Sequence, residues 1–163
     1  MDDGELHVLF LCARNAARSI MAEAMLNQLG SQRFRAYSAG IDPADAPHPF
    51  AMQVLKDASI RTQDLHSKGW REFTRDGAPE VDLVITMSDQ VSALPPPRWP
   101  GKPVTVTWNF PDPVEAEGDE VVRKEAFRAV MYEIRKRIEL MVSLPHESLE
   151  RLKLQAALAG MAP

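Results

Sequence analysis

The chain is short of the features that usually mark a secreted, membrane or nucleic-acid-binding protein. Among its 163 residues there is one cysteine, Cys12, which excludes an internal disulfide and a cysteine metal cluster. A reducing, cytoplasmic setting suits such a thiol. The four histidines, His7, His48, His66 and His146, have no metal-ligand spacing, so no metal site is expected. No long basic run occurs and the net charge is -4, which argues against a nucleic-acid partner. The N-terminal apolar run is too short to span a membrane, and its flank of Asp2, Asp3 and Glu5 is too acidic for a secretory signal. There is no repeat at a fixed period and no low-complexity segment. What remains is the length of one domain, enough to bury a sizeable core.

The informative stretch surrounds the single thiol. The run His7-Val8-Leu9-Phe10-Leu11 reads as a buried strand, and Met21, Met25 and Leu29 fall on one face of a helix. Between them lies Cys12-Ala13-Arg14-Asn15-Ala16-Ala17-Arg18-Ser19, so a thiol stands where a strand turns into a helix. Unpaired N–H groups and the positive end of the helix dipole make such a turn an anion site. The same groups favour a thiolate over a thiol, as does a nearby hydroxyl donor such as Ser19. Arg18 adds a planar fork of donors matched to two oxygens of a tetrahedral oxyanion. Cys12 is therefore the candidate nucleophile, Arg18 the oxyanion clamp, and residues Ala13, Arg14, Asn15, Ala16, Ala17, Arg18 and Ser19 the oxyanion cradle. A free cysteine is more often an inert small hydrophobe, but the polar neighbours Arg14, Asn15, Arg18 and Ser19 suit a plain core turn poorly. Arg14 either widens the positive pocket or is a solvated loop side chain.

Further along, Gly30 is placed to end the first helix with a left-handed cap, and Phe34 to Ala39 alternates as a second strand closed by Gly40. Pro49 suits the first position of a helix whose Ala51, Val54, Leu55 and Ala58 form an apolar stripe. Residues 61 to 73 are ambiguous, with Ser67 placed to cap a short helix carrying Trp70 and Phe73. Leu83-Val84-Ile85-Thr86-Met87 reads as a central parallel strand, followed by Ser88-Asp89. Leu94 to Gly101 is irregular by its prolines, and Val104 to Trp108 alternates as a fourth, edge strand. Phe127, Val130, Met131, Ile134, Ile138 and Met141 recur at helical spacing, which predicts a long helix from about Asp119 to Leu144, stopped by Pro145. Residues 1–145 form the domain, and 146–163 a helical tail. Strands alternating with helices imply a three-layer α/β domain: a parallel sheet with right-handed crossovers and helices on both faces. Ligands bind such sheets beyond the carboxyl ends of the strands, the edge that carries Cys12, Ser88 and the loop after Trp108.

A thiolate attacking an oxyanion must expel an oxygen, and a carboxylic acid opposite the nucleophile can protonate it. Asp112, held between Pro111 and Pro113, is the candidate acid. Asp beside proline is also a common turn pair, and spacing alone does not choose between the two.

The loop Cys12 to Ser19, the stretch Ser38-Ala39-Gly40-Ile41, the run Val81 to Asp89 and the pair Asp112-Pro113 together resemble the low-molecular-weight protein tyrosine phosphatase superfamily, which includes a branch of arsenate reductases. The resemblance covers the chain to about Pro145. It implies a four-stranded parallel sheet, order 2-1-3-4, with a phosphatase-type phosphate-binding loop after the first strand. It also implies Cys12 as nucleophile, Arg18 as oxyanion ligand, Asn15 as the residue ordering the loop, Ser19 as thiolate donor and Asp112 as acid. Tyrosine phosphatases of this type carry aromatic residues soon after the Asp-Pro pair, whereas Val114, Glu115 and Ala116 follow here. Thr107 to Gly118 and the tail Leu149-Glu150-Arg151-Leu152-Lys153-Leu154 instead resemble the arsenate reductase branch.

The best-known arsenate reductases pass a disulfide among three cysteines and are recycled by thioredoxin. Here Ala17 takes the place of the extra cysteine that some relatives carry within the loop, Ser88 stands near where a resolving cysteine would be, and Val91 to Pro97 contains none. The resemblance therefore implies reduction of arsenate to arsenite with no bound cofactor, the Cys12 adduct being released by an external thiol such as glutathione with glutaredoxin, or another small thiol with its redoxin. The alternative is a phosphatase that hydrolyses phosphomonoesters, including phosphotyrosine proteins, through a phosphocysteine. A non-catalytic oxyanion or phosphopeptide binder is the third reading.

Overall fold

The apolar run that opens the chain is strand β1, Leu6–Cys12, buried along nearly its whole length. It lacks alternation because both of its faces are covered. Parallel pairing joins it to β2, Phe34–Gly40, on one side and to β3, Leu83–Thr86, on the other. Strand β4, Val104–Thr107, pairs in parallel with β3 and closes the sheet as an exposed edge. The order is β2-β1-β3-β4, as the resemblance implies. In this computed structural model the described residues are 5–94, 99–145 and 147–151. Residues 95–98 of the proline-rich stretch and most of the expected tail helix lie outside them, while residues 147–151 are helical and Leu149 is buried in the core.

The two faces of β1 feed different layers. Leu6, Val8, Phe10 and Cys12 face helices α1 (Arg18–Leu29), α2 (Pro49–Asp57) and α4 (Glu120–Val142), packing with Met21, Met25, Val54, Leu55, Phe127 and Ile134. Leu9 and Leu11 face a thinner layer with Phe73, Val84 and Val91, supplied by the 3₁₀ turn Trp70–Phe73 and the four-residue helix α3, Asp89–Ser92. Asp119 caps α4 through Val122 N–H. The far end of that helix is held by Arg33, whose guanidinium donates to the carbonyls of Val142 and Leu144. No helix among the described residues is long and apolar enough to cross a membrane.

Two local expectations are corrected. Gly30 ends α1 at φ -118, outside the left-handed region; the position is instead crowded, a Cβ standing 2.9 Å from the Phe34 ring and 3.1 Å from both the Leu26 and Val142 side chains. Ser67 caps no helix. The turn begins after Gly69 without a side-chain cap, and the Ser67 hydroxyl is spent on the loop after β1. All four strands end on one edge, at Cys12, Gly40, Thr86 and Thr107. The connections from β1 and β3 leave that edge where the strand order reverses, the crevice in which open α/β sheets bind ligands.

Candidate active site

Cys12 is level with Gly40 at the end of β1, and the chain then circles through residues 13–17 before α1 begins. The circle is set by its carbonyls. Those of Cys12, Ala13, Arg14 and Ala16 accept from the backbone N–H groups of Ile41, Asp42, Ala44 and His48 at 3.1, 2.9, 2.8 and 2.9 Å. That of Asn15 accepts the Ser67 hydroxyl at 2.6 Å. In a planar trans peptide the next N–H points opposite to the carbonyl, so carbonyls turned outward turn the N–H groups of residues 13–17 inward. One of these, Asn15 N–H, reaches Cys12 Sγ at 3.3 Å. The rest form an anion cradle ahead of the α1 N-terminus.

Two residues let the loop close this tightly. Asn15 takes φ +51, a left-handed conformation that asparagine tolerates better than most side chains. At Gly40 a Cβ would stand 2.9 Å from both the Arg14 carbonyl carbon and the Asn15 nitrogen, so the loop backbone occupies the space a side chain would need.

Ser19 Oγ lies 2.8 Å from Cys12 Sγ, and neighbouring bonds fix its hydroxyl hydrogen. The backbone N–H of Lys68 donates to Asn15 Oδ1 at 2.9 Å, which leaves Asn15 Nδ2 to donate to Ser19 Oγ at 2.7 Å. Ser19 accepts from that amide and directs its own hydrogen at sulfur. Asn15 and Ser19 are fully buried and Cys12 is 2% exposed, so Sγ is reached only through the mouth of the cradle.

Arg18, the first residue of α1, is buried and donates from Nη1 to the Phe110 carbonyl at 3.1 Å. Its Nη2 lies 3.6 Å from Asp112 Oδ2. Asp112 caps the short turn Pro113–Glu115, its Oδ1 accepting from Val114 N–H at 3.1 Å. The sequence pair Asp-Pro is thus a turn residue and a carboxylate facing Arg18 at once. Thiol, guanidinium and carboxylate meet at one mouth, an arrangement that can bind a tetrahedral oxyanion, attack it and protonate what leaves.

The family model described as low molecular weight phosphotyrosine protein phosphatase matches residues 7–155. The chain belongs to that family. It is 32% identical over 132 residues to an arsenate reductase of Halalkalibacterium halodurans, covering 81% of this chain and 91% of that protein. It is 28% identical over 136 residues to a glutaredoxin arsenate reductase of Synechocystis, covering 83% and 95% of the two chains. Among solved structures, an arsenate reductase from Archaeoglobus fulgidus superposes with a TM-score of 0.68 at 25% identity, covering 84% of this chain and 99% of the other.

Around the phosphatase-family loop run two clefts that share Arg14, Arg18 and Asp112. One, of about 410 Å³, also meets Cys12 and is walled by Ala44, Ala46, Pro47, His48, Pro49 and Val114. The other, of about 380 Å³, runs past Ala13 to Ser88, Asn109 and Phe110. Arg14 is an exposed rim residue whose Nη1 is 2.7 Å from Asp42 Oδ2, so its charge is balanced while its stem borders both clefts. Among the described residues no group of three or more acidic, histidine or cysteine side chains could hold a metal ion.

The sequence reading missed the segment Ser67-Lys68, whose grip on Asn15 uses a serine hydroxyl and a backbone N–H and so has no pattern in the sequence. It also passed over His48, whose place directly before Pro49 is an N-cap position. His48 Nδ1 accepts from Phe50 N–H at 3.0 Å, and its ring packs against Phe127 at a 33° tilt with centroids 4.6 Å apart. Desolvation, followed by the nearby Arg123 charge, holds His48 below the ordinary histidine pKa, against a smaller opposite pull from Asp112. Because Nδ1 accepts, the proton of the neutral ring sits on Nε2.

Proposed function

We propose that this chain is an arsenate reductase that works through a covalent Cys12 adduct resolved by an external thiol. The observation that carries the reading is the wall of the cleft over Cys12. Apart from the His48 imidazole it is made of alanine, proline and valine side chains, which offer no aromatic face to a phenyl ring. The converging groups, by contrast, are all suited to a bare tetrahedral anion. The arsenate reductase names of its relatives support the same branch.

In this mechanism the inward N–H groups and the Arg18 fork hold arsenate with arsenic in front of Sγ. Ser19 and the Asn15 N–H support negative charge on sulfur. Sulfur attacks, the S–As bond forms and one As–O bond breaks. Asp112 protonates the departing oxygen, which leaves as water. An external thiolate then attacks Sγ; the S–As electron pair departs with arsenic, which is released as arsenite, and Cys12 is left in a mixed disulfide. A second thiol takes that disulfide over and restores Cys12. Glutathione with glutaredoxin, or another small thiol with its redoxin, fits this role, and the cytosol supplies such thiols.

The test is a quenched turnover read by intact mass. The protein should carry one external thiol, lost with Cys12→Ser along with all arsenite formation; arsenite production that survives Cys12→Ser overturns the proposal. The family favours a second reading, hydrolysis of phosphomonoesters, phosphotyrosine proteins among them, through a phosphocysteine. It uses the same loop but needs only water in the second step.

A further inference from the structure

Outside the two clefts lies a mostly buried ion pair that the proposed chemistry does not use. Lys68 Nζ lies 3.7 Å from Glu23 Oε1, the two side chains being 11% and 15% exposed. Lys68 Nζ also donates to the His66 carbonyl at 2.8 Å, and the Ser38 hydroxyl of β2 donates to Glu23. Burial, the dominant influence, pushes the Glu23 carboxyl above its ordinary pKa in spite of Lys68 and Ser38. A lysine on a loop is normally solvated, and burying a charged pair is costly unless its geometry is well satisfied.

The pair closes a circuit with α1. Glu23 stands four residues after Ser19 on that helix, hence on the same face one turn along. From Glu23 the path runs to Lys68 Nζ, from the Lys68 backbone N–H to Asn15 Oδ1, from Asn15 Nδ2 to Ser19 Oγ, and from Ser19 to Cys12 Sγ. The Lys68 carbonyl accepts from Gly40 N–H at 2.8 Å, tying the same residue to the end of β2. Building on the reading of Cys12 as nucleophile, we propose that Lys68 is a positioning residue. Anchored to Glu23, it holds segment 66–69 against α1, so that Asn15 keeps its amide and the Ser19 hydroxyl aimed at sulfur.

Lys68→Met keeps the aliphatic stem and removes the charge. Because it strands a buried carboxylate, it is paired with the double variant Glu23→Gln/Lys68→Met, which removes both charges and carries the test if the single variant does not fold. Alkylation of Cys12 by iodoacetamide, followed by intact mass from about pH 5 to 9, reads the nucleophile without any oxyanion. In both variants the alkylation profile should move to higher pH, with the rate near the acid end falling about tenfold and the alkaline rate converging on the parent's. Arsenate turnover should fall about tenfold in kcat with a smaller change in KM. Arg18, Asp112, Arg14 and His48, the other charged and titratable groups around Cys12, are untouched by either variant. An unaltered alkylation profile in a folded variant overturns the proposal and leaves the pair a packing feature. A parent that alkylates normally but reduces no arsenate defeats the reductase reading alone, the positioning role still being decided by the profile.

Discussion

His48 caps α2 with a ring lone pair, and that makes the cap conditional on pH. Nδ1 must be unprotonated to accept from Phe50 N–H; once it is protonated, two donors face each other. The folded pKa lies below the ordinary 6.5 because the ring is desolvated and Arg123 is near. A group with a depressed folded pKa contributes stability that is present above its unfolded pKa and is lost as pH falls through the folded value. The stability of the protein should therefore decline as pH drops below about 6.5, and His48→Asn, which keeps an N-cap acceptor without a titrating ring, should flatten that part of a urea-denaturation series across pH. Asp112 makes a second residue-scale prediction. Asp112→Asn keeps the cap on Val114 N–H but has no proton of comparable acidity to give, so kcat should fall by about 10²–10⁴ with the fold intact by circular dichroism.

At the scale of elements, the loop between β1 and α1 is moulded by what it rests on. Gly40→Ala would press a methyl group against the Arg14 and Asn15 backbone at 2.9 Å, and that backbone is already bonded on its outer side. The expected loss is about 1–3 kcal/mol in urea unfolding, the usual cost of overpacking, with a larger loss of activity because the cradle itself is displaced. Gly30→Ala meets only side-chain atoms of Phe34, Leu26 and Val142, which can yield, and should cost less. These glycines also show what a sequence reveals. The strands and helices were legible because burial on one face leaves a period and burial on both leaves an unbroken apolar run; Cys12, Arg18 and Ser19 were legible as candidates where such a run turns into a helix, whereas Asp112, between two prolines, read equally as an acid and as a turn residue. Gly30 was misjudged because the space around it is closed by packing, from Phe34 and Leu26 four residues to either side and from Val142 of the distant α4, and packing leaves no pattern that a helix-end signal would carry. The 66–69 segment stayed ambiguous for a related reason: it holds Asn15 through its backbone, and any residue but proline offers the same N–H.

For the molecule as a whole, the decisive number is its single cysteine. A catalytic cycle that reduces its substrate by two electrons cannot end in a disulfide within this chain, so the electrons must come from outside; about two external thiols should be consumed per arsenite formed. The sheet brings the carboxyl ends of β1 and β3 to one edge, and the loops beyond them leave a mouth open to such a thiol through the cleft beside His48 and Val114. The most direct test is to incubate the purified protein with arsenate and measure arsenite, with glutathione plus glutaredoxin, with another small-thiol redoxin system and with no thiol, following phosphate release from p-nitrophenyl phosphate alongside. Arsenite that forms only when a thiol is supplied, and not at all with Cys12→Ser, is the predicted result. Brisk thiol-independent phosphate release with no arsenite under any condition would contradict the account and leave the loop to a phosphatase.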